Sequence, residues 1–559
     1  MRKPFSAMLI LFCASLLVCA PEPRRFEDAD RILGRMTLEQ KVGQLLMVGV
    51  PGNTLSDNSR AILEKYLPGG IILYGYNIDQ QEGPAKFVAA LQDASMKCSG
   101  FPLFVSTDQE GGRVYRITKG VTQFPGNMAF GVVNDADLMY DASRIMGMQL
   151  RAAGVNMNLA PVLDVNNNPE NPVINSRSFG SAAEVVARMG RFYVKGLQKA
   201  RCIAVGKHFP GHGDTNRDSH LTLPVIPHDM ERLSRLELHP FEVAIRSGLE
   251  VIMTAHISYP AILRNGMPAT LSREILTDLL RTKMQFQGLV ITDDLEMHAI
   301  SKMMGIGEAA VKTIDAGSDI ILVSSHGTTV PLVHEALMKA VKAGTIPVER
   351  VNRSVRRILE MKLRYQVMKL ENGKVALDGP RYSARETALL TKADAINAAA
   401  SADALYYRGA ETYESLLADK SIKKKILITP HAGLRAETAK LGDPSLTVIE
   451  TGARLGDVLP KGDGEALVFY HTDWYIDPQI AGAQGLAQNK RVKLVVLSTG
   501  NPFPVAKQAW VKRTLYSFSN SEESMRQIAR ALKGELKPSS KINLALGYPG
   551  DEAVKPPDR

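Results

Sequence analysis

The feature that most constrains the fold is a strand-then-helix alternation that runs through residues 26–366. Eight short apolar runs occur there, and long amphipathic segments separate most of them. Because strands joined by helical crossovers pair in parallel, eight such units predict an α/β fold with a (β/α)8 TIM-like barrel. A doubly wound sheet would give a similar rhythm. The runs interpreted as strands are 45–50, 70–74, 103–107, 155–164, 202–207, 251–256, 289–293 and 319–324.

Polar side chains at the strand ends favour the barrel. They lie at or just beyond the C-terminal ends of five of the predicted strands. In a parallel barrel these ends share one rim, where active sites are built. The sequence therefore predicts a single pocket there, lined by Asp108, Asp164, Lys207, His208, His256 and Asp293.

A second α/β region is predicted to follow the barrel. Residues 367–400 are interpreted as a linker with one helix over 384–400. Residues 401–559 contain further short apolar runs, a helix over 521–532 and a last strand over 542–546, which together predict a smaller αβα sandwich. This region has no Gly-rich phosphate-binding motif, so no nucleotide site is predicted in it.

Residues 1–20 have the pattern of an export signal. Arg2 and Lys3 precede an apolar stretch over 7–18 that is too short to span a bilayer. Cleavage after Ala20 is one interpretation, although Pro21 is unfavourable there, and an uncleaved anchor is another. The run that ends at Cys19 also resembles a lipoprotein processing site, which would place a lipid on this cysteine. We expect an exported protein, either periplasmic or extracytoplasmic, or a membrane-anchored lipoprotein.

The composition excludes several classes of protein. With 45% hydrophobic and 23% charged residues, the chain is neither disordered nor a polytopic membrane protein. The net charge of +10 is spread along the chain, apart from one basic stretch over 490–513. No nucleic-acid-binding motif accompanies that stretch, so we expect no nucleic-acid partner. Cys98 and Cys202 precede strands that are not neighbours, which argues against a disulfide bond.

Residues 207–220 form the densest cluster of reactive side chains and include three of the 11 histidines. A metal site could use His208, His212 and His220, but their spacing matches no familiar ligand pattern and Lys207 would repel a cation. A serine hydrolase could use Ser219, which lacks the context of a nucleophile elbow. A third interpretation is a proton-transfer pair, in which Asp218 orients the imidazole of His220.

Two other clusters follow predicted strands. Asp293 ends an apolar strand, where a carboxylate can be a base, a metal ligand or a nucleophile, while Asp294 could cap the next helix. Residues 106–114 combine Asp108 with Arg113, which suits recognition of a sugar by paired hydrogen bonds or a stabilising ion pair.

Together these segments resemble glycoside hydrolase family 3, and specifically its two-domain β-N-acetylglucosaminidase branch. The resemblance is carried by the Lys-His-Phe-Pro-Gly-His-Gly run with the following Asp-Ser-His and by the Gly-Leu-Val-Ile-Thr-Asp-Asp-Leu-Glu-Met segment. It extends through residues 161–180, 253–261 and 268–272, and the C-terminal region also looks like the family's second domain.

The resemblance implies a role for each matching position. Asp293 matches the catalytic nucleophile, and His220 matches the general acid and base, with Asp218 as its partner. No metal or cofactor is implied. The positions that match those holding the non-reducing N-acetylglucosamine are Asp108, Arg116, Arg177, Lys207 and His208.

The implied activity is that of a retaining exo-β-N-acetylglucosaminidase acting on peptidoglycan fragments or chitooligosaccharides through a covalent glycosyl-enzyme. A phosphorylase would use phosphate in place of water, and a β-glucosidase of the same family is a further alternative. A non-catalytic envelope-binding lipoprotein would be expected to lack some of the catalytic positions, all of which are present. We expect a monomer, and the glycine-rich setting of His220 suggests that the acid arrives by loop motion.

Overall fold

Eight parallel strands form a nearly closed barrel in the computed structural model of the protein. Strands that are consecutive in sequence pair with one another, and β1 also pairs with β8. A parallel bridge from Ile291 to Ile320 connects β7 to the residue before β8. The strands are β1 (Leu46–Gly49), β2 (Gly70–Leu73), β3 (Phe104–Thr107), β4 (Met157–Asn158), β5 (Ile203–Phe209), β6 (Val251–Thr254), β7 (Leu289–Ile291) and β8 (Ile321–Val323).

The structure describes residues 22–542, except 80, 264–265, 326, 451–458, 460–463 and 473–482. The signal over 1–20, Cys19 and most of the strand over 542–546 lie outside the described residues, and those predictions stay untested. Within the described part, no helix has the length and apolar character needed to cross a membrane.

All eight predicted barrel strands are present, but the fourth is shorter than predicted. The sequence suggested 155–164, whereas β4 covers two residues. Pro161 has no N–H to donate to a ladder, and the chain re-joins its neighbour only at an isolated bridge between Val162 and Lys207. Asp164 and the residues after it are thereby left at the rim.

Helices surround the barrel. In the helix Val348–Arg364, Val351, Val355 and Leu359 are fully buried at helical spacing. The helices are Glu22–Leu33, Leu38–Gln44, Asp57–Tyr66, Ala85–Cys98, Asn127–Val133, Ala136–Ala152, Ala183–Lys199, Met230–Arg235, His239–Arg246, His298–Ser301, Ile306–Ala316, Thr329–Lys342 and Val348–Arg364, with a π-helix at Glu274–Lys283 and 3₁₀ turns at Gly75–Asn77, Asn175–Arg177 and Ala269–Leu271. Cys98 and Cys202 are both free thiols.

The linker after the barrel differs from the prediction in two places. The single helix expected over 384–400 is divided into Ala384–Thr387, a 3₁₀ turn at Ala388–Lys392 and Ala393–Asp403. A hairpin of β9 (Met368–Glu371) and β10 (Lys374–Leu377) was not predicted. Its Asn372-Gly373 turn has positive φ at both residues, a turn signal that the sequence does contain.

A six-stranded mixed sheet forms the second domain, in the order β11-β16-β15-β14-β12-β13. Its strands are β11 (Tyr406–Arg408), β12 (Ile422–Ile428), β13 (Leu446–Ile449), β14 (Glu465–Thr472), β15 (Val492–Ser498) and β16 (Thr514–Tyr516), and its helices are Tyr413–Leu417, Ala432–Leu441, Phe503–Ala506 and Glu522–Lys533. Alternating residues feed two apolar clusters, one on each face, as expected for an αβα sandwich. One cluster includes Met128 and Val132 from the barrel helix Asn127–Val133.

Candidate active site

A cavity of about 510 Å³ opens where the barrel strands end. Apolar barrel side chains such as Ile72, Met253 and Leu322 line its bottom. Seven of the eight predicted site residues line it, namely Asp108, Arg116, Arg177, Lys207, His208, His220 and Asp293. The eighth, Asp218, contacts the ring of His220. Of the six strand-end residues predicted to line one pocket, Asp108, Lys207, His208 and Asp293 do so, whereas Asp164 and His256 do not.

A network of buried charges, here called the charged floor, consists of Asp108, Glu110, Arg177 and Lys207. The Nζ atom of Lys207, whose side chain is 2% exposed, lies 2.7 Å from both Asp108 Oδ1 and Glu110 Oε1. Arg177 donates to both oxygens of Glu110, at 2.9 and 2.8 Å. Such forked pairing fixes a guanidinium in one orientation. Arg116 lies at the edge of this network, with Nη2 4.0 Å from Asp108 Oδ2.

Within the charged floor, Glu110 and Lys207 stay ionised because oppositely charged neighbours compensate for their burial. Burial opposes the charge on Glu110, but Arg177 and Lys207 outweigh it and hold the pKa of this carboxyl well below its usual range. Burial likewise opposes the charge on Lys207, and Asp108 and Glu110 reverse that effect and raise its pKa. The floor therefore presents fixed charges and fixed hydrogen-bonding groups to a bound ligand.

Asp164 holds His208 and His212, two of the three histidines in the cluster over residues 207–220. His208 Nδ1 lies 2.7 Å from Asp164 Oδ2, while Asp164 Oδ1 accepts the backbone N–H groups of His208 and His212, at 3.1 and 2.7 Å. Burial raises the pKa of Asp164, but His208 outweighs it and the net pKa is lowered. The ionised carboxylate thus takes the Nδ1 hydrogen of His208 and leaves Nε2 for the ligand.

Two adjacent carboxyl groups follow β7, and their pKa values are shifted in opposite directions. Burial disfavours ionisation of Asp293, but His256, His208, the Asp294 amide and Lys207 together lower its pKa below the usual value. Burial raises the pKa of Asp294 to about 6. Asp293 is therefore the more readily ionised member of the pair, as a nucleophile requires. Asp294 does not cap a helix; its Oδ1 accepts from Glu296 and Ser324 amides.

His256, also predicted at the rim, supports this segment from below. Its Nδ1 pairs with Thr270 Oγ1 at 2.8 Å, and its Nε2 donates to the backbone oxygen of Asp294 at 2.9 Å. Burial lowers the pKa of His256. Both ring nitrogens are therefore engaged in holding the chain that carries Asp293 and Asp294.

The Asp218–His220 dyad has the geometry that the sequence predicts. Asp218 Oδ1 lies 2.7 Å from His220 Nδ1 and accepts the His220 backbone N–H at 2.8 Å. Burial opposes ionisation of Asp218, but its bonds to His220 lower the pKa of the carboxyl overall. The His220 side chain is 61% exposed, against 32% for Asp218. Its Nε2 is left for proton transfer at the cavity and exchange with solvent.

The geometry of residues 207–220 does not fit a metal site or a serine hydrolase, the two other interpretations of this cluster. In the described part of the chain, no group of three or more His, Cys, Asp or Glu side chains is arranged to hold a metal ion. Ser219 contacts His212 Nε2 at 2.9 Å and not His220, and His212 Nδ1 has no carboxylate partner. A serine triad would need that third group.

Sequence reasoning missed two aromatic residues that line the cavity, and it missed Glu110, which pairs with the lining residues Arg177 and Lys207 without lining the cavity itself. Glu110 lies two positions after Asp108, yet nothing in the sequence shows that it pairs with Arg177, which is 67 positions away. Tyr74 and Tyr76 line the cavity and stack with ring centroids 5.8 Å apart. They follow β2, so aromatic side chains at a strand end were a usable signal.

The comparison with protein families gives the class of the protein. The glycosyl hydrolase family 3 N terminal domain matches residues 37–361. The chain therefore belongs to glycosyl hydrolase family 3, and the resemblance found in its motifs is confirmed.

Individual relatives narrow the comparison. β-Hexosaminidase A of Pseudoalteromonas piscicida is 39% identical over 285 residues, which is 48% of this chain and 48% of that protein. The chain thus matches about half the length of this relative. A β-hexosaminidase of Alkalilimnicola ehrlichii is 37% identical over 294 residues, covering 52% of this chain and 82% of the relative. The solved family 3 β-N-acetylglucosaminidase of Paenibacillus sp. str. FPU-7 is 37% identical, with a TM-score of 0.78, over 90% of this chain and 98% of that one.

Proposed function

We propose that this protein is a retaining exo-β-N-acetylglucosaminidase that removes terminal N-acetylglucosamine from peptidoglycan fragments or chitooligosaccharides. One observation carries the proposal: a single cavity contains an ionised carboxylate at a barrel strand end, an aspartate-supported imidazole and a charged floor. The relatives named β-hexosaminidase and the Paenibacillus β-N-acetylglucosaminidase support the choice of sugar.

Binding of the terminal sugar falls to the charged floor and to His208. Asp108 accepts hydrogen bonds, whereas Arg116, Arg177 and Lys207 donate them, so neighbouring hydroxyl groups can be paired with both kinds of partner. Because these groups already hold one another in place, little reorganisation accompanies binding. The apolar barrel core closes the cavity below them, which suits a chain end and not the interior of a polymer.

In the first half of the reaction, an Asp293 oxygen attacks the anomeric carbon. The bond to the leaving sugar breaks as protonated His220 donates its Nε2 proton to the departing oxygen. This leaves a glycosyl ester on Asp293 and a neutral imidazole. Asp218 stabilises the imidazolium before the transfer and holds the ring through Nδ1.

In the second half, the neutral imidazole accepts a proton from water. The resulting hydroxide equivalent attacks the same carbon, the ester bond breaks, and the carboxylate of Asp293 is released. Two displacements return the original anomeric configuration, and His220 is protonated again for the next cycle.

We also propose that the protein is exported, on the basis of the pattern in residues 1–20. Mass spectrometry of the mature N-terminus tests this. A chain beginning at Pro21 would indicate ordinary cleavage, and a chain beginning at lipidated Cys19 would indicate a lipoprotein. A cytoplasmic chain that retains residues 1–20 would contradict export.

Hydrolysis of a chromogenic N-acetylglucosaminide beside the matching glucoside tests the activity, in the wild type and in Asp293→Ala and His220→Ala. We expect a clear preference for the acetamido sugar and loss of activity in Asp293→Ala. An enzyme without that preference, or a fully active Asp293→Ala, would overturn the assignment. Formation of sugar 1-phosphate on addition of phosphate would identify a phosphorylase instead.

A further inference from the structure

We propose that the hydrogen bond between Ser219 and His212, here called the tether, sets the position of His220. Ser219 and His212 are then positioning residues for proton transfer, without contact to the reacting atoms. This inference rests on the proposed function, because it concerns how efficiently His220 protonates the leaving group.

The segment between Asp214 and His228 carries the dyad and is pinned at its base. Asp214 Oδ2 lies 2.7 Å from His228 Nε2 and 3.5 Å from Arg232 Nη2. Gly213, just before this segment, passes so close to the chain after β4 that a Cβ there would stand 1.6 Å from the Val165 oxygen. The two ends are therefore fixed, and of the residues between them Ser219 and His220 line the cavity.

Within this segment, Ser219 is buried between two more accessible neighbours, Asp218 and His220. Ser219 is 2% exposed, in contrast to the largely exposed His220 beside it. Its Oγ lies 2.9 Å from Nε2 of His212. Because the side chain next to His220 is anchored inside the protein, the backbone that carries the imidazole is anchored with it.

His212 is itself held by Asp164 and His208. Its side chain is buried, its backbone N–H donates to Asp164 Oδ1 at 2.7 Å, and its ring packs edge-on against His208 with centroids 5.8 Å apart. Asp164 also holds the ring of His208. The buried carboxylate of Asp164 therefore positions His208, which binds the sugar. Through His212 and the tether, it also positions His220, which transfers the proton.

The other contacts of this turn are weaker anchors. The backbone amides of Leu221 and Thr222 donate to the backbone oxygen of Asp218, each at 3.0 Å. These bonds shape the turn but do not attach it to the barrel. Lys302 Nζ reaches the Leu221 oxygen at 3.5 Å in an exposed setting. Farther along the segment, the Ile226 amide donates to the Ser258 backbone oxygen at 2.9 Å and the Ser258 amide donates to the Pro224 oxygen at 3.0 Å. These bonds lie four or more residues beyond His220, so the tether is the buried side-chain hydrogen bond next to the imidazole.

Two N-acetylglucosaminides that differ in their need for an acid test the tether. With the dinitrophenyl glycoside the leaving group departs unaided, whereas chitobiose requires protonation by His220. For Ser219→Ala we expect kcat/KM for chitobiose to fall by about 10- to 100-fold, because the imidazole is no longer aligned, and kcat/KM for the dinitrophenyl glycoside to change by no more than about threefold.

Three further variants serve as controls. Thr222→Ala removes an exposed hydroxyl from the same turn and should leave both substrates unchanged. Ser219→Thr keeps the hydroxyl and should restore most of the chitobiose activity. His212→Asn should show the same selective loss, and the double variant with Ser219→Ala should be no worse than the poorer single variant if both act through one hydrogen bond.

The outcomes separate the tether from the proposed function. If the wild-type enzyme is active, either of two results for Ser219→Ala would overturn the tether. These are an equal loss of kcat/KM for both substrates and no loss for either. If Ser219→Ala does not fold, His212→Asn decides by the same two criteria. A wild-type protein inactive on both substrates would instead overturn the proposed function.

Discussion

The charged floor and the Asp218–His220 dyad are both built from acid–base pairs at one barrel rim, yet they differ in burial. In the floor, Lys207 and Glu110 are almost inaccessible and each has at least two ionic partners. In the dyad, His220 is largely exposed and pairs with one carboxylate. The floor holds its charges constant, while the dyad stays open to exchange with water.

This difference follows from what each group has to do. A sugar-binding group gains from low dielectric and full compensation, because its protonation state must not change during the reaction. A general acid and base must lose and regain a proton in every cycle, which requires access to solvent. Asp293 belongs electrostatically with the floor, since its neighbours keep it ionised despite burial.

The largest effect is expected from Asp293→Asn, which should reduce kcat by about 10⁴-fold or more for every substrate, because no acid–base route replaces the nucleophile. Asp294→Asn is the matched control, since it removes the neighbouring carboxyl and should cost far less. Steady-state kinetics on the chromogenic N-acetylglucosaminide measure both. If Asp294→Asn were the inactive variant, the roles assigned to the two carboxyls would be exchanged.

His220→Ala should have the next largest effect, a loss of about 10²- to 10⁴-fold in kcat/KM for chitobiose. The loss should be much smaller for the dinitrophenyl glycoside, because its leaving group needs no proton. Side-by-side assays of the two substrates provide the measurement. Similar losses for both would place His220 with the binding residues and erase the distinction between dyad and floor.

Glu110→Gln should destabilise the protein by about 3 kcal/mol, because Arg177 and Lys207 would remain buried with one fewer counter-charge. The same change should raise KM for the N-acetylglucosaminide, since both cations lose their alignment. Urea unfolding measures the first effect. Glu82→Gln, which breaks an exposed pair with Lys86, is the control and should leave stability unchanged. Equal stability of the two variants would contradict the floor's dependence on burial.

The smallest effect concerns Asp294. Burial raises the pKa of its carboxyl from the ordinary value of 3.8 to about 6. A carboxyl with a raised folded pKa favours the folded state while protonated, so this stabilisation is lost as pH rises from about 4 to 6. Relative to Asp294→Asn, the wild type should lose on the order of 2 kcal/mol across that window. Urea unfolding at both ends of the window checks this, and a constant difference would contradict it.

Much of the fold could be predicted because strands buried on both faces read as apolar runs, and the eight in the barrel do so. The short edge strand β11 could not, since its three residues pair antiparallel with β16, whose Tyr516 lies opposite Tyr406 more than a hundred positions away. Such a pairing leaves little local signal in the sequence.

The site divides in the same way. Strand ends and the family motif placed Asp108, Lys207 and Asp293 in one cavity. Two interactions could not be predicted, namely the pairing of Glu110 with Arg177 and the tether. Their side chains meet only after folding, so no spacing along the chain indicates them. The exact domain borders and the contribution of residues 1–20 stay predictions.

The covalent step on Asp293 is the central claim, and mass spectrometry of the enzyme after incubation with a fluorinated N-acetylglucosaminyl fluoride tests it most directly. We predict a protein heavier by one fluorinated sugar residue, with the adduct on the peptide that carries Asp293 and none in Asp293→Asn. An adduct on another residue, or turnover of a normal substrate with inversion at the anomeric carbon, would contradict the account.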